Sequence, residues 1–320
     1  MSPLTAAELR TSLMYAGYAA GWAGVRRLPE QAAYRLFARA ADAAWQRRGP
    51  SVRQLEANLR RVAPGAGERA LRELSRAGMR SYLRYWCDVF RMPNWDRDRI
   101  VGAVTPVGEE QLRTALGQGR GFVAALPHLG NWDHAGAWAC LTGAPVTTVA
   151  ERLRPERLYE RFAGFRAGLG MEILPLTAPT GAAERALLGT LADRLRANRV
   201  VCLLADRDLR ASGIPVDFFG ARATMPPGPA LLAVLTGAPL HPVTPVYDER
   251  GIVLTIAAEV VPPATGTTRH RVAAATQQVA DVFADAIAAA PQDWHMLQPL
   301  WLDGSDGVGG VDGRSGGRRR

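Results

Sequence analysis

A histidine and an aspartate stand five residues apart in the segment PHLGNWDHAG, residues 127–136. An apolar, strand-like run, GFVAAL, precedes His128, and a helical pattern begins close to Asp133. In an open parallel sheet, functional groups collect at the carboxyl ends of strands, where loops lead into helices. A carboxylate bonded to the imidazole would fix its tautomer and leave the other ring nitrogen as a proton acceptor. The spacing therefore predicts a general base that activates a hydroxyl group.

A second carboxylate competes with Asp133 for the role of orienting this histidine. Asp206 follows the apolar run VVCLLA and therefore ends another strand, which we expect in the same sheet. The sequence leaves both aspartates open as the partner of His128. A purely structural alternative also remains, in which His128 fills the core and Asp133 only favours the start of its helix.

Neither a nucleophilic side chain nor a metal site accompanies the histidine. The chain contains no G-x-S-x-G elbow, and no serine or cysteine lies beside His128 in the sequence. His128, Asp133 and His134 do not form the i, i+4 histidine pair of a helical zinc motif, so we expect no metal. The attacking hydroxyl is then expected to belong to the substrate, and the transfer to proceed without an acyl-enzyme.

The elements that must position these residues follow two different patterns. Helical periodicity runs through residues 1–99, and short β-branched runs then alternate with helical stretches. This alternation predicts an α/β fold with a mostly parallel central sheet flanked by helices, over residues 100–302. The Gly- and Arg-rich residues 303–320 are expected to be a disordered tail.

Composition and charge limit the classes of possible partners. The 320 residues are 48% hydrophobic and 22% charged, which is typical of a folded globular protein. The net charge of +9 suits an anionic partner, but no nucleic-acid recognition motif occurs. Residues 11–25 are too short to span a membrane, although Tyr15, Tyr18 and Trp22 would share one helical face. That helix is expected either to lie on a membrane surface or to pack on its own domain.

Taken together, the motifs resemble those of the glycerolipid and lipid A acyltransferases. H-x-x-x-x-D follows a short strand, and LLADRDLRASGIPVDFFGARATMPPGPALLAVLTGAPLHPV resembles the downstream block of the lipid A late acyltransferases. FRAGLG, around Arg166, also matches a basic position there. The resemblance covers roughly residues 100–302. The N-terminal apolar segment is shorter than that of the lipid A enzymes, and HMLQPLW stands near the C-terminus where those enzymes have a basic pair. In both features the chain is more similar to the phosphatidylinositol mannoside acyltransferases of mycobacteria and their relatives.

This resemblance implies a reaction, a location and a set of contacts. It implies acyl transfer from acyl-CoA, with palmitoyl-CoA expected, to a mannose hydroxyl of a glycolipid, without a cofactor. It also implies a peripheral enzyme at the cytoplasmic face of the membrane, on anionic lipids. Arg166 is the expected phosphate contact, because a guanidinium binds phosphate in a bidentate manner. The other candidate substrate-binding residues are Glu151, Arg207, Asp208 and Arg210.

Other functions stay open on the sequence alone. The acceptor could be another glycolipid or a lysophospholipid. The same histidine and carboxylate could also activate water, which would make the protein a hydrolase of lipids or thioesters. A basic membrane-binding protein without catalysis is a third class, but it leaves the His128 motif unexplained.

Overall fold

The computed structural model describes residues 21–152, 156–176, 181–208 and 213–302. The predictions made for Tyr15, Tyr18, Arg210 and the tail at residues 303–320 lie outside these ranges.

The described part of the chain contains eleven α-helices and nine strands. The helices are α1 (residues 21–27), α2 (Glu30–Arg47), α3 (Pro50–Val62), α4 (Glu68–Arg91), α5 (Arg97–Gly102), α6 (Glu109–Gly117), α7 (Trp132–Leu141), α8 (Glu156–Gly168), α9 (Gly181–Arg196), α10 (Gly228–Thr236) and α11 (Thr268–Ala289). The strands are β1 (Val104–Val107), β2 (Phe122–Leu126), β3 (Val146–Glu151), β4 (Glu172–Leu176), β5 (Val200–Leu204), β6 (Ile214–Phe218), β7 (Ala221–Met225), β8 (Leu240–Tyr247) and β9 (Ile252–Ile256).

Seven of these strands form one sheet in the order β1-β9-β8-β2-β5-β3-β4. Neighbouring strands are parallel, except that β8 and β9 are antiparallel. Helices α6 and α7 cover one face, where Phe122 and Trp138 are buried, and α9, α10 and α11 cover the other, where Leu195 and Phe283 are buried. The predicted α/β fold with a mostly parallel, helix-flanked sheet is confirmed. β6 and β7 form a separate antiparallel hairpin.

Strand β2 lies in the middle of the sheet, between β8 and β5. All five of its residues are buried, as expected for a parallel strand covered on both faces. Leu126 of β2 is paired with Leu204 of β5. His128 and Asp206 each follow their strand by two residues, so the register brings them to the same point of the sheet edge.

The loop after β2 is held close to neighbouring backbone. Gly130 has a φ of +52°, and a Cβ atom there would overlap the carbonyl oxygen of Pro245 in β8. Only glycine combines this left-handed conformation with so close an approach. The Gly130 N–H also donates to the carbonyl oxygen of Asp293 at 2.8 Å. These contacts fix the course of the chain between His128 and α7.

Helices dominate the N-terminal part, as the sequence predicts. Helices α2 and α3 pack on the long helix α4, and the core between them includes Leu55, Leu71 and Met79. Helix α4 also buries polar side chains toward the α/β part, among them Ser81 and Asp88. No helix within the described ranges is both long and apolar enough to cross a bilayer.

Candidate active site

His128 and Asp206 form a hydrogen-bonded pair at the carboxyl edge of the sheet. The imidazole Nδ1 lies 2.6 Å from Oδ1 of Asp206, and the backbone N–H of His128 donates to Oδ2 at 2.9 Å. The Asp206 side chain is fully buried, whereas that of His128 is 25% exposed. An ionised carboxylate only accepts, so Nδ1 carries the proton and Nε2 keeps its lone pair. This is the arrangement of an oriented general base.

Asp206 is held as the charged partner by several donors. Its Oδ2 also accepts a hydrogen bond from the Trp294 indole Nε1 at 3.0 Å. Burial by itself raises the pKa of Asp206, but the charge of His128 and these hydrogen bonds outweigh it and hold the pKa below its usual range. The imidazole therefore faces a buried negative charge at its Nδ1 side.

Asp133, the other candidate partner, is bound elsewhere. Its two oxygens accept hydrogen bonds from Nε and Nη2 of Arg166 at 2.6 Å and 3.1 Å, and Oδ2 also accepts from the hydroxyl of Tyr85 at 2.9 Å. The aspartate at the start of α7 therefore faces α8 and α4. Of the two carboxylates that the sequence left open, Asp206 is the one hydrogen-bonded to the imidazole in the structure.

Arg166, the predicted phosphate contact, is the partner of Asp133. Its side chain is 18% exposed, and that of Asp133 is 3% exposed. Burial opposes the charge of the guanidinium, but Asp133 outweighs it and raises the pKa of Arg166 above its usual value. The ion pair uses Nε and Nη2, so Nη1 is the nitrogen that lies outside it.

The remaining candidates lie along the same edge of the sheet. Glu151 ends β3 and is exposed, while Arg207 and Asp208 directly follow Asp206 and are half-buried. Asp208 Oδ2 accepts a hydrogen bond from the backbone N–H of Gly213 at 2.6 Å. Within the described ranges, no group of three or more His, Cys, Asp or Glu residues could hold a metal ion.

The segment that follows α11 supplies site residues that the sequence analysis missed. The indole Nε1 of Trp294 donates a hydrogen bond to Oδ2 of Asp206. The backbone N–H of His295 donates to the carbonyl oxygen of His128 at 2.7 Å, and Leu129 forms a β-bridge with Trp294. These contacts join residues at least 88 positions apart, and no local sequence pattern predicts them.

His295 itself is a buried histidine in a defined tautomer. Ser81 Oγ donates to Asp293 Oδ1 at 2.6 Å and lies 3.0 Å from Nε2 of His295. Since the hydroxyl proton goes to Asp293, Nε2–H of the histidine donates to Ser81. Nδ1 is then an unprotonated acceptor, buried and without a hydrogen-bond partner in the described part of the chain. Desolvation lowers the pKa of His295 to about 3.

This burial predicts a loss of stability in mild acid. The unfolded chain takes up a proton at His295 below a pH of about 6.5, whereas the folded chain resists it down to about pH 3. The unfolded state therefore binds more protons, so the free energy of unfolding falls as the pH falls. One pH unit corresponds to ~1.4 kcal/mol for a single proton, so His295 lowers the free energy of unfolding by about 2 kcal/mol between pH 6.5 and pH 5.

Urea denaturation at a series of pH values measures this loss. His295→Gln keeps a donor for Ser81 and does not titrate, so its stability curve should be flatter than that of the wild type over this range. Burial also lowers the pKa values of His134 and His241, and their share of the slope remains in the variant. Equal slopes for the two proteins would contradict the prediction.

An apolar cavity of about 80 Å³ adjoins the site between α7 and the face of the sheet. It extends from Leu126 and Leu204, at the carboxyl ends of β2 and β5, to Phe122 at the amino end of β2. At ~3.3 Å per strand residue this distance is about 13 Å. Asp133 and Arg166 are the charged residues of an otherwise mostly apolar lining. A lining of this kind favours apolar over polar ligand groups.

Comparisons with known proteins identify the family to which the chain belongs. Residues 5–303 match the family model described as bacterial lipid A biosynthesis acyltransferase. A phosphatidylinositol mannoside acyltransferase of Mycolicibacterium smegmatis is 46% identical over 286 residues, covering 89% of this chain and 90% of the relative. A protein of the same name from Mycobacterium tuberculosis is 46% identical over 292 residues, covering 89% and 87%. The chain is thus an acyltransferase that belongs to the bacterial lipid A biosynthesis acyltransferase family.

Proposed function

We propose that the protein transfers a fatty acyl group from acyl-CoA to a mannose hydroxyl of a phosphatidylinositol mannoside, at the cytoplasmic face of the membrane. The observation that carries the chemistry is the 2.6 Å bond between Nδ1 of His128 and the buried Asp206, which leaves Nε2 as the base. The names of the relatives that match most of this chain support the acceptor class. No cofactor is needed, because acyl-CoA is a co-substrate.

The reaction is a direct attack by the acceptor hydroxyl. Nε2 of His128 takes the hydroxyl proton as that oxygen forms a bond to the thioester carbonyl carbon. The carbonyl oxygen becomes an oxyanion, whose proposed donors are backbone N–H groups in the first turn of α7 other than that of His134, which the Asn131 side chain caps. The C–S bond then breaks, coenzyme A leaves as a thiolate, and the imidazolium returns its proton to the thiolate or to solvent. No acyl-enzyme forms in this sequence.

Charged residues around His128 are the proposed contacts for the polar parts of the substrates. Arg166 offers Nη1, and Arg207 follows Asp206 directly, so both suit a phosphate. Glu151 and Asp208 suit sugar hydroxyls, since carboxylates accept hydrogen bonds from them. Arg210 belongs to the same proposed set. The net charge of +9 favours attachment to a membrane surface with anionic lipids.

The acyl-transfer assay that tests this proposal supplies palmitoyl-CoA in three reaction mixtures that differ in the acceptor. Phosphatidylinositol mannosides, a lysophospholipid or no acceptor are supplied, and the lipid products are separated. Acylated mannoside as the main product is the expected result. Acylation of the lysophospholipid alone would move the enzyme to a different acceptor class. Free fatty acid in every mixture would indicate a hydrolase.

The apolar cavity is the proposed place for the acyl chain. Gly136 of α7 lines it, and a Cβ atom there would stand 2.6 Å from Sδ of Met171. Met171 is flexible, so we expect it to move aside as a long chain enters. Gly136→Leu fills this space, and we therefore expect transfer of palmitoyl groups to fall much more than transfer of octanoyl groups.

Competition between the two acyl-CoA donors measures this change in preference. Gly189→Leu on α9 is the matched control, because a Cβ atom at that position meets nothing within 4 Å. The control should keep the wild-type ratio of palmitoyl to octanoyl transfer. An unchanged ratio in Gly136→Leu would place the acyl chain outside this cavity.

A further inference from the structure

Asp88 of α4 is a buried carboxylate that the reaction does not use. It accepts hydrogen bonds from the Tyr34 hydroxyl at 2.5 Å, the Tyr247 hydroxyl at 2.9 Å and Asn131 Nδ2 at 3.1 Å. Asp88 is 2% exposed, and it forms no ion pair with an arginine in the described part of the chain. The nearby guanidinium of Arg84 stacks on the ring of Tyr247, 3.9 Å from its centroid. Asp88 therefore ties α2, β8 and the start of α7 to α4.

Asn131 is the partner that leads from Asp88 to the site. It caps α7, because its Oδ1 accepts a hydrogen bond from the backbone N–H of His134 at 2.9 Å. Its Nδ2 donates to Asp88 from the other end of the same amide. Both ends of the side chain are thus in use, and the amide cannot turn over without losing both bonds. His128 lies three residues before this anchored position.

Two further side chains of α4 hold the surroundings of His128. Ser81 donates to Asp293 and accepts from His295, whose backbone binds the carbonyl oxygen of His128. Tyr85 donates to Asp133. Ser81, Tyr85 and Asp88 are spaced at i, i+4 and i+7, so they share one face of the helix. That face contacts the loop before α7, the start of α7 and the segment at Asp293.

We propose that Asp88 is a positioning residue for the catalytic loop, acting through its hydrogen bond to the α7 cap Asn131. The bond keeps residues 127–131 in the conformation that aligns Nδ1 of His128 with Asp206. This inference rests on the proposed role of His128 as the base. It assigns Asp88 no contact with either substrate.

The direction of the hydrogen bond supplies a sharp test. Asn131→Asp keeps the cap, because aspartate accepts the His134 N–H as well as asparagine does. It also places a second carboxylate against Asp88, whose pKa burial already raises, so the two groups share a proton at low pH and repel each other as the pH rises. The loss of kcat in Asn131→Asp is therefore measured over a range of pH and should deepen as the pH rises. Asp88→Asn alone should be mild, because its amide can turn so that the oxygen faces Asn131 and the nitrogen donates to the Tyr34 hydroxyl.

The double variant Asp88→Asn, Asn131→Asp restores the bond in the reverse direction. The new amide nitrogen at position 88 then donates to the new carboxylate at position 131. The wild type, Asp88→Asn and the double variant are therefore expected to have similar kcat values. The kcat of Asn131→Asp should be about 10-fold to 100-fold lower, since small misplacements of a catalytic group have effects of this size. KM values for both substrates should stay close to those of the wild type.

Hydrogen exchange followed by mass spectrometry supplies the readout that does not depend on activity. Asn131→Asp should speed exchange in residues 127–134 above all, and the double variant should return it to the wild-type rate. Glu56→Gln is the matched control, since it neutralises another buried carboxylate, on α3, held by Arg48, Arg72 and Ser75. It should leave both kcat and the exchange of residues 127–134 unchanged.

The outcomes separate this inference from the proposed function. Uniformly faster exchange in Asn131→Asp, or a double variant that recovers neither exchange nor kcat, would overturn the role of Asp88. If Asn131→Asp does not fold, the double variant still decides, because the inference requires it to fold and to be active. Full activity in a variant without the His128 base would instead overturn the proposed mechanism, while the exchange data would still report on the loop.

Discussion

Replacing His128 with asparagine is expected to lower kcat for acyl transfer by about 10²–10⁴-fold, the usual contribution of a general base. The asparagine amide nitrogen can take the place of Nδ1, which lies 2.6 Å from Asp206, and can still donate to that carboxylate. Nothing replaces Nε2, so no group accepts the proton of the acceptor hydroxyl. Because the buried carboxylate keeps its hydrogen bonds, the melting temperature should change little.

Steady-state kinetics and thermal unfolding of the same preparations check this prediction. His270→Asn makes the same exchange on the exposed side of α11 and should have wild-type kcat. A wild-type kcat in His128→Asn would show that the chemistry does not use this histidine. A loss of kcat accompanied by a large drop in melting temperature would point to the structural alternative, in which His128 serves the core.

The sequence predicts the fold class and the position of His128 because both have local signals. Alternating β-branched and helical runs indicate a parallel sheet with helices on both faces, and the structure has this arrangement. His128 follows a short apolar strand, so its place at the carboxyl edge can be inferred without knowing any other strand. The helical N-terminal part is likewise visible in local periodicity.

The partner of His128 depends instead on strand order, which has no local signal. The chain passes from β2 to β3 and β4 and then returns, so that β5 inserts between β2 and β3. Only this insertion places Asp206 beside His128, through the register that pairs Leu126 with Leu204. Asp133 is nearer in sequence, but the first turn of α7 directs it to Arg166. Proximity along the chain therefore favours Asp133, which is not the carboxylate bonded to the imidazole.

Long-range contacts explain the other gaps. Trp294 and His295 reach His128 from the far end of the chain, and Asp88 reaches Asn131 from α4. The i, i+4, i+7 spacing of polar residues on α4 could be noticed in the sequence. It would still not say which elements they meet, because helix periodicity fixes a face and not its neighbour.

Removing Asp133 alone is expected to lower the free energy of unfolding by about 3–5 kcal/mol. Asp133→Ala leaves the guanidinium of Arg166, which is 18% exposed, without its counter-ion in a site of low polarity. The hydroxyl of Tyr85 loses its acceptor at the same time. Urea denaturation measures the change, and an unchanged m-value will confirm that the same surface is exposed on unfolding.

Removing the charges of both Asp133 and Arg166 should lower the free energy of unfolding less than removing that of Asp133 alone. Asp133→Asn with Arg166→Gln leaves two amides that can bond to each other and no uncompensated ion, so we expect the double variant to be more stable than Asp133→Ala. Glu73→Ala is the matched control, since it breaks the exposed pair with Arg69 on α4. It should change stability little, because exposed ion pairs contribute little. Equal effects of Asp133→Ala and Glu73→Ala would contradict the prediction.

The same double variant separates the two roles open to Arg166. A purely structural Arg166 acts by holding Asp133, so kcat and KM should recover together with stability once both charges are removed. An arginine that also binds a substrate phosphate through Nη1 cannot be replaced by glutamine, because the amide lacks the positive charge. In that case stability recovers while KM for the phosphate-bearing substrate stays raised. We expect this second result, since the ion pair with Asp133 uses only Nε and Nη2 and leaves Nη1 outside it.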